Sequence, residues 1–74
     1  MGDHKGFTVV LRGYDIGEVE ALLSLVRQAL PSADPATRAA ARAALDGRAF
    51  NVRMRGYDRA EVDAYLRRAV DRLA

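Results

Sequence analysis

The sequence predicts a mainly α-helical fold: two pseudo-symmetric β-turn–α units joined by a short alanine-rich helix. The segments 7–30 and 50–73 align without a gap at a constant offset of 43 residues, and 11 of the 24 aligned positions are identical. In each copy, alternating apolar residues typical of a short strand precede apolar residues at helical spacing. An alanine-rich stretch separates the copies. An internal repeat of this kind indicates a domain built from two copies of one unit.

A short extended segment opens each copy, ahead of the sequence Arg-Gly-Tyr-Asp. The alternating apolar residues are Phe7, Val9 and Leu11 in the first copy and Phe50, Val52 and Met54 in the second. This alternation predicts that Leu11 and Met54 face the core. Gly13 and Gly56 predict a turn with positive φ, which glycine adopts without steric cost. We expect the two segments to pair as a minimal ribbon, within one chain or within a dimer.

The turn leads into an amphipathic helix in both copies. Asp15 and Asp58 precede Glu18 and Glu61 by three residues. This is the spacing of a capping box, in which Asp accepts from an early helical N–H and Glu reaches back to the N–H of the cap. The tyrosine of each Arg-Gly-Tyr-Asp is expected to anchor the strand on a helix, with its hydroxyl on a polar partner. The predicted core stripes are Val19, Leu22, Leu23, Val26 and Leu30, and Val62, Tyr65, Leu66, Ala69, Val70 and Leu73.

The connector carries its own start and stop signals. Pro31 ends the first helix because a proline forces the preceding residue out of helical geometry. Asp34 is a predicted N-cap with Pro35 at the first helical position, and Gly47 is a predicted C-cap. The expected organisation is one domain over 1–74, with repeat one at 7–30, the connector helix at 34–47 and repeat two at 50–73.

Composition restricts the possible functions. The chain has 74 residues, half of them apolar, and no cysteine, so disulfides and thiolate metal sites are excluded. Folds this small usually gain stability from disulfides, a metal or a partner chain, so we expect a homodimer, with the helix of repeat two near the interface. The single histidine, His4, cannot form a zinc site alone. No catalytic, cofactor-binding or metal-binding residue is predicted, so the chain is not expected to be an enzyme.

The repeated motif carries a resemblance to a known family. The pattern F-x-x-x-x-R-G-Y-D-x-x-E-V-[DE]-x-x-L, at 7–23 and again at 50–66, resembles the DivIVA domain. This is the N-terminal module of bacterial cell-pole and division-site scaffolds, and tandem copies occur in small actinobacterial proteins. The resemblance implies a non-enzymatic adaptor that recruits other division or polarity proteins. In the family scaffolds, a coiled coil follows the module.

The resemblance also implies a membrane-binding tip, where an exposed apolar residue is followed by a basic one. The matching positions are Leu11-Arg12 and Met54-Arg55. Family scaffolds carry an aromatic or basic residue in place of Leu11 and Met54. Weak binding to an anionic membrane surface follows as an expectation. No apolar stretch has the length of a membrane span or a signal peptide, so we expect a cytoplasmic protein, peripheral at the inner face of the membrane.

Other interpretations stay open at the arginines. Arg12 and Arg55 pair either with Glu18, Glu61 or a helix carbonyl, or with an anionic lipid or acidic partner. Residues 38–74 hold nine arginines against five acidic residues, a net charge of +4, whereas residues 1–37 have a net charge of −2. The alternative function is therefore a small basic nucleic-acid-binding protein. It is disfavoured because acidic residues interrupt the arginines and no aromatic row accompanies them.

The remaining motif residues are expected to serve the fold. Turn and capping chemistry suffices to explain them without a ligand. These fold-signature residues are Gly13, Tyr14, Asp15 and Glu18, and their counterparts Gly56, Tyr57, Asp58 and Glu61.

Overall fold

A computed structural model describes residues 6–73, so His4 and both ends of the predicted domain 1–74 lie outside the described residues. The elements follow the order β1 (Val9–Tyr14), α1 (Ile16–Ala29), α2 (Pro35–Asp46), β2 (Val52–Tyr57) and α3 (Arg59–Leu73). The structure is 60% helical with a small two-stranded antiparallel sheet, which confirms the mainly α prediction.

The apolar core lies among the three helices. Its buried side chains are Val19, Leu22, Leu23, Val26, Ala29, Ala41, Leu45, Val62, Leu66, Ala69 and Leu73. Most of the predicted stripe residues are therefore buried, while Leu30, Tyr65 and Val70 are half-buried against the same cluster. Helix α2 contributes Ala41 and Leu45 and contacts both α1 and α3, so the connector is part of the core.

Helix ends are held by side chains close in sequence. Asp34 caps α2 as predicted: its carboxylate accepts from the Ala36 N–H at 3.2 Å and from the Thr37 hydroxyl at 2.8 Å. The hydrogen bond from the Thr37 hydroxyl, followed by that from the Ala36 N–H, lowers the pKa of Asp34. Since Pro35 occupies the first helical position, it brings no unpaired N–H to the first turn of α2.

Arg38 joins the ends of three elements. Its Nη1 donates to the carbonyl oxygens of Ala29 at 3.4 Å, Leu30 at 3.2 Å and Ser32 at 3.2 Å. Its Nη2 donates to the carbonyl oxygen of Arg72 at 2.8 Å. The last carbonyls of a helix have no partner within the helix. One guanidinium on α2 thus satisfies carbonyls at the carboxyl ends of both α1 and α3.

The two strands pair within one chain. Val9 lies opposite Tyr57, Val10 opposite Gly56, Leu11 opposite Arg55, Gly13 opposite Arg53 and Tyr14 opposite Val52. Each step forward along β1 is a step back along β2, so the strands are antiparallel. Two backbone bonds of 2.8 Å extend the ladder at its ends, from Asp15 N–H to the Asn51 carbonyl and from Asp58 N–H to the Thr8 carbonyl.

The ribbon bends sharply at its centre. In a flat ladder Gly13 and Gly56 would lie about 10 Å apart, three residue steps along the strands. Instead their backbones are in direct contact, and Tyr14 also pairs with Tyr57. The bend falls at the four residues between these points, Leu11 and Arg12 on β1 and Met54 and Arg55 on β2. We call these four residues the ribbon apex.

The prediction of positive φ at Gly13 and Gly56 is wrong, because neither glycine lies in the left-handed region. Both are required for a different reason: a Cβ on either glycine would overlap the backbone of the facing strand. The left-handed residue at the bend is Arg12, with φ of 62°, the one non-glycine residue with positive φ in the range 6–73. Backbone contact, not turn conformation, explains these two glycines.

Candidate functional site

The base of the ribbon is tied to the helices by two matching sets of hydrogen bonds. The Glu18 carboxylate accepts from the backbone N–H of Asn51 at 2.8 Å and from its side-chain amide at 2.7 Å. The Glu61 carboxylate accepts from the backbone N–H of Thr8 at 2.8 Å and from its hydroxyl at 3.0 Å. Thr8 and Asn51 occupy equivalent positions in the two repeats. The helix of each repeat therefore holds the strand of the other.

The capping box is confirmed in one half and wrong in the other. Asp15 accepts from the Glu18 N–H at 2.9 Å, and Asp58 accepts from the Ala60 N–H at 2.9 Å, so both aspartates cap their helices. The glutamates do not reach back to the N–H groups of the caps, however. Those N–H groups already donate to strand carbonyls at the ends of the ladder. The freed carboxylates of Glu18 and Glu61 bind the opposite strand instead.

The tyrosines cross between repeats in the same way. Tyr14 donates to the Asp63 carboxylate at 3.0 Å, and Tyr57 donates to Glu20 at 2.6 Å. Burial and the bond to Asp63 raise the pKa of Tyr14, whereas for Tyr57 the bond to Glu20 is the main cause that raises the pKa. The predicted polar partner of each tyrosine is confirmed, and it lies on the helix of the other repeat.

Aromatic packing accompanies these hydroxyl bonds. The Phe7 ring lies edge-on to Tyr57 at 5.4 Å and to Tyr65 at 5.7 Å, and the Phe50 ring lies 5.0 Å from Tyr14. These centroid distances are in the range of favourable ring pairs. Each predicted strand phenylalanine therefore packs on the tyrosine of the opposite repeat.

One ion pair strengthens the first cap. The Nε of Arg53 lies 2.9 Å from a carboxylate oxygen of Asp15. The Glu18 N–H first, and the Arg53 guanidinium second, lower the pKa of Asp15. This arginine of β2 is therefore engaged at the first turn of α1, and its charge is not free for a ligand.

The ribbon apex is exposed, which contradicts the prediction that Leu11 and Met54 lie in the core. Leu11 is 74% exposed and Met54 is 76% exposed, whereas Val9 and Val52 are exposed to 44% and 45%. Alternation fails here because the bend turns residues of both strands away from the helices. The less favoured interpretation, that these two residues form an exposed tip, matches their position.

The arginines of the ribbon apex are also exposed, and neither pairs with Glu18 or Glu61. Both glutamates are occupied by Asn51 and Thr8. Within residues 6–73, no hydrogen bond or ion pair holds the side chain of Arg12 or Arg55. Leu11 lies opposite Arg55 in the ladder, so the two predicted tips meet in one patch. The ribbon apex thus combines two apolar side chains with two positive charges that have no partner within residues 6–73.

Four residues of this arrangement were not predicted from the sequence: Thr8, Asn51, Glu20 and Asp63. The aligned repeats do contain a sign of these contacts. Thr8 and Asn51 both carry a side-chain hydrogen-bond donor, and Glu20 and Asp63 both carry a carboxylate. Arg38 was also missed, since nothing in its local sequence indicates which carbonyls it reaches.

Neither a spanning helix nor a metal-binding cluster is found in the described part of the chain. No helix there is long and apolar enough to cross a membrane. Residues 6–73 also contain no group of three or more acidic side chains placed to hold a metal ion. The ribbon apex, where two exposed apolar side chains lie beside two exposed arginines, is the candidate functional site on its own geometry.

Comparisons with protein-family models, with curated proteins and with solved structures gave no match. The resemblance to the DivIVA domain consequently rests on the repeated motif.

Proposed function

We propose that this chain is a non-enzymatic interaction module that binds an anionic membrane surface through the ribbon apex. On the resemblance of its motif to the DivIVA domain, we place the module in bacterial cell division or polar growth, with other division or polarity proteins as partners. The observation that carries the proposal is the exposure of Leu11 at 74% and of Met54 at 76%, beside two arginines without partners in residues 6–73.

A single apex supports stronger binding than two separate tips. Burying a leucine- or methionine-sized side chain contributes roughly 1.5–3 kcal/mol, and an arginine near an anionic leaflet adds about 1 kcal/mol. Two of each sum to roughly 5–8 kcal/mol before the cost of immobilisation, which corresponds to dissociation constants from about 0.2 mM down to the micromolar range. This affinity fits reversible, peripheral attachment at the inner face of the membrane.

The absence of an enzymatic role is supported by how the carboxylates are used. Asp15 and Asp58 cap helices, Glu18 and Glu61 hold the opposite strands, and Glu20 and Asp63 accept from tyrosines. All six carboxylates accept hydrogen bonds that hold the fold together. General acid–base catalysis would instead need a carboxylate placed to exchange a proton with a substrate.

We further propose that the two repeats are related by a pseudo-twofold axis through the ribbon apex. Residues 43 positions apart make equivalent contacts at Glu18 and Glu61 and at Tyr14 and Tyr57. This relation would present Leu11 and Met54 together. A homodimer with α3 near its interface is a further part of the proposal. Light scattering at micromolar concentration would give twice the chain mass.

Nucleic-acid binding is the alternative, and the positions of the arginines favour it less. Of the nine in residues 38–74, Arg38 and Arg48 donate to backbone carbonyls and Arg53 pairs with Asp15. Binding through phosphate contacts would require free arginines and would weaken steeply with salt.

Co-sedimentation with vesicles tests the proposal. Wild type should pellet with phosphatidylglycerol-rich vesicles at low salt and much less with phosphatidylcholine vesicles. The Leu11→Asp, Met54→Asp double variant should remain in the supernatant while keeping its circular dichroism spectrum. Leu25→Asp is the matched control, because Leu25 is an exposed leucine away from the ribbon apex. Wild type that fails to pellet, or that binds duplex DNA instead in an anisotropy titration, would refute the membrane role.

A further inference from the structure

The two apolar residues of the ribbon apex differ in chemistry although they occupy equivalent positions in the repeats. Leu11 is a hydrocarbon, whereas Met54 carries a thioether. Met54 is the one methionine in residues 6–73, and its side chain is 76% exposed. A methionine thioether accepts an oxygen atom from peroxides where the sulfur is accessible, and leucine does not react.

We propose that Met54 is an oxidation site through which a peroxide weakens binding of the ribbon apex to an anionic membrane. This inference rests on the proposed function. In the reaction, a lone pair of the Met54 Sδ attacks one peroxide oxygen and the S–O bond forms as the O–O bond breaks. The proton on the attacked oxygen moves to the other oxygen, which leaves as water. The sulfur is oxidised by two electrons and the peroxide is reduced by two. The product is methionine sulfoxide, whose side chain is polar.

The consequence for binding follows from the small number of apolar groups at the site. The ribbon apex has two large apolar side chains, and oxidation of Met54 makes one of them polar. Losing the burial of a methionine-sized side chain predicts a decrease in vesicle affinity of about tenfold or more. Arg12 and Arg55 keep their charges, so the affinity that remains should vary with salt concentration as it does before oxidation.

The fold should not respond to this oxidation. Met54 is absent from the core cluster and from the half-buried residues that pack against it. A polar oxygen on its sulfur therefore points to solvent and disturbs no buried contact. This separates a change at the membrane surface from a loss of structure.

The chain supplies a matched control. Met54→Leu places the residue of repeat one in repeat two and removes the thioether while keeping an apolar side chain. Met1 is present in both proteins, so its oxidation affects the wild type and the variant equally. Leu11→Met performs the opposite change and should make both halves of the ribbon apex sensitive.

The experiment treats wild type, Met54→Leu and Leu11→Met with hydrogen peroxide, confirms oxidation by peptide mass, and measures binding to phosphatidylglycerol-rich vesicles. We expect a loss of about tenfold or more in wild type, little change in Met54→Leu and a larger loss in Leu11→Met, all with unchanged thermal melts. Oxidised wild type that binds like untreated protein would overturn the inference while leaving the proposed function intact. A melt that falls with oxidation would also overturn it, and untreated wild type that does not bind would refute the proposed function itself.

Discussion

Replacing Gly13 by alanine tests the contact between the two strands. A Cβ on Gly13 would lie 2.5 Å from the Gly56 carbonyl oxygen, and a Cβ on Gly56 would lie 2.6 Å from that of Gly13. These distances are about 1 Å shorter than the 3.5 Å at which non-bonded heavy atoms attract each other. Both obstacles are backbone atoms and cannot rotate away. The strands must therefore separate, which stretches the ladder bonds at Asp15 and Asp58.

The expected cost combines two contributions. Forcing extra volume into a tight contact costs about 1–3 kcal/mol, and two weakened ladder hydrogen bonds cost about 1 kcal/mol each. The total of roughly 3–5 kcal/mol is a large part of the 4–11 kcal/mol, on the order of 0.05–0.15 kcal/mol per residue, expected for a domain of this size. Gly56→Ala should behave alike. Chemical denaturation followed by far-UV circular dichroism measures the free energy of unfolding.

Gly17→Ala is the matched control for this measurement. Gly17 lies in the first turn of α1, where an added Cβ meets nothing closer than the Asp15 carboxylate at 3.4 Å. Alanine already stands at the equivalent position 60. Alanine is the better helix former, so we expect a gain of about 0.5–1 kcal/mol. Gly13→Ala within about 0.5 kcal/mol of wild type would show that the strands do not touch at this point.

Two further predictions concern Arg38 and Asp15. Arg38→Ala should reduce the free energy of unfolding by about 2–3 kcal/mol, since hydrogen bonds from a charged group to the ends of two helices are lost; Arg38→Lys should restore little of it. Arg42→Ala on the same helix is the control, and equal melting temperatures for the two alanine variants would contradict the role of Arg38. The Glu18 N–H and Arg53 lower the pKa of Asp15, so its charge stabilises the fold above the ordinary aspartate pKa of about 4, and this stability is lost as pH falls through the lowered pKa. Asp15→Asn should therefore flatten the acid side of the stability–pH curve, and a variant with the wild-type acid slope would refute this.

Much of the helical structure could be predicted from the sequence because its causes are local. The caps at Asp15, Asp34 and Asp58 and the apolar spacing along α1 and α3 lie within one or two helical turns. A cap or an amphipathic stripe needs no knowledge of the rest of the fold. The positions of the helices, and most of the core residues on them, follow from these signals.

The ribbon could not be predicted in the same way because its geometry depends on contacts distant in sequence. Alternation indicates that Leu11 and Met54 share a side with Phe7 and Phe50 only if the strand stays extended, and the bend removes that condition. The partners of Glu18 and Glu61 depend on the strand pairing, because the N–H groups of Asp15 and Asp58 donate to carbonyls of the paired segments and not to these glutamates. Such choices are made by tertiary pairing and leave no local pattern.

Comparing the two copies of the Arg-Gly-Tyr-Asp sequence shows which of its four residues make structural contacts in both repeats. Its glycine permits the backbones of the two strands to touch. Its tyrosine hydroxyl donates to a carboxylate on the helix of the other repeat, and its aspartate caps the helix that follows. The arginine is equally identical in both copies, yet the side chains of Arg12 and Arg55 have no structural partner in residues 6–73. The proposed binding to an anionic membrane would give these two arginines a role that the fold does not give them. Arg12→Ala and Arg55→Ala should accordingly leave the free energy of unfolding within about 0.5 kcal/mol of wild type and weaken vesicle binding, and a loss of stability without a loss of binding would reverse that assignment.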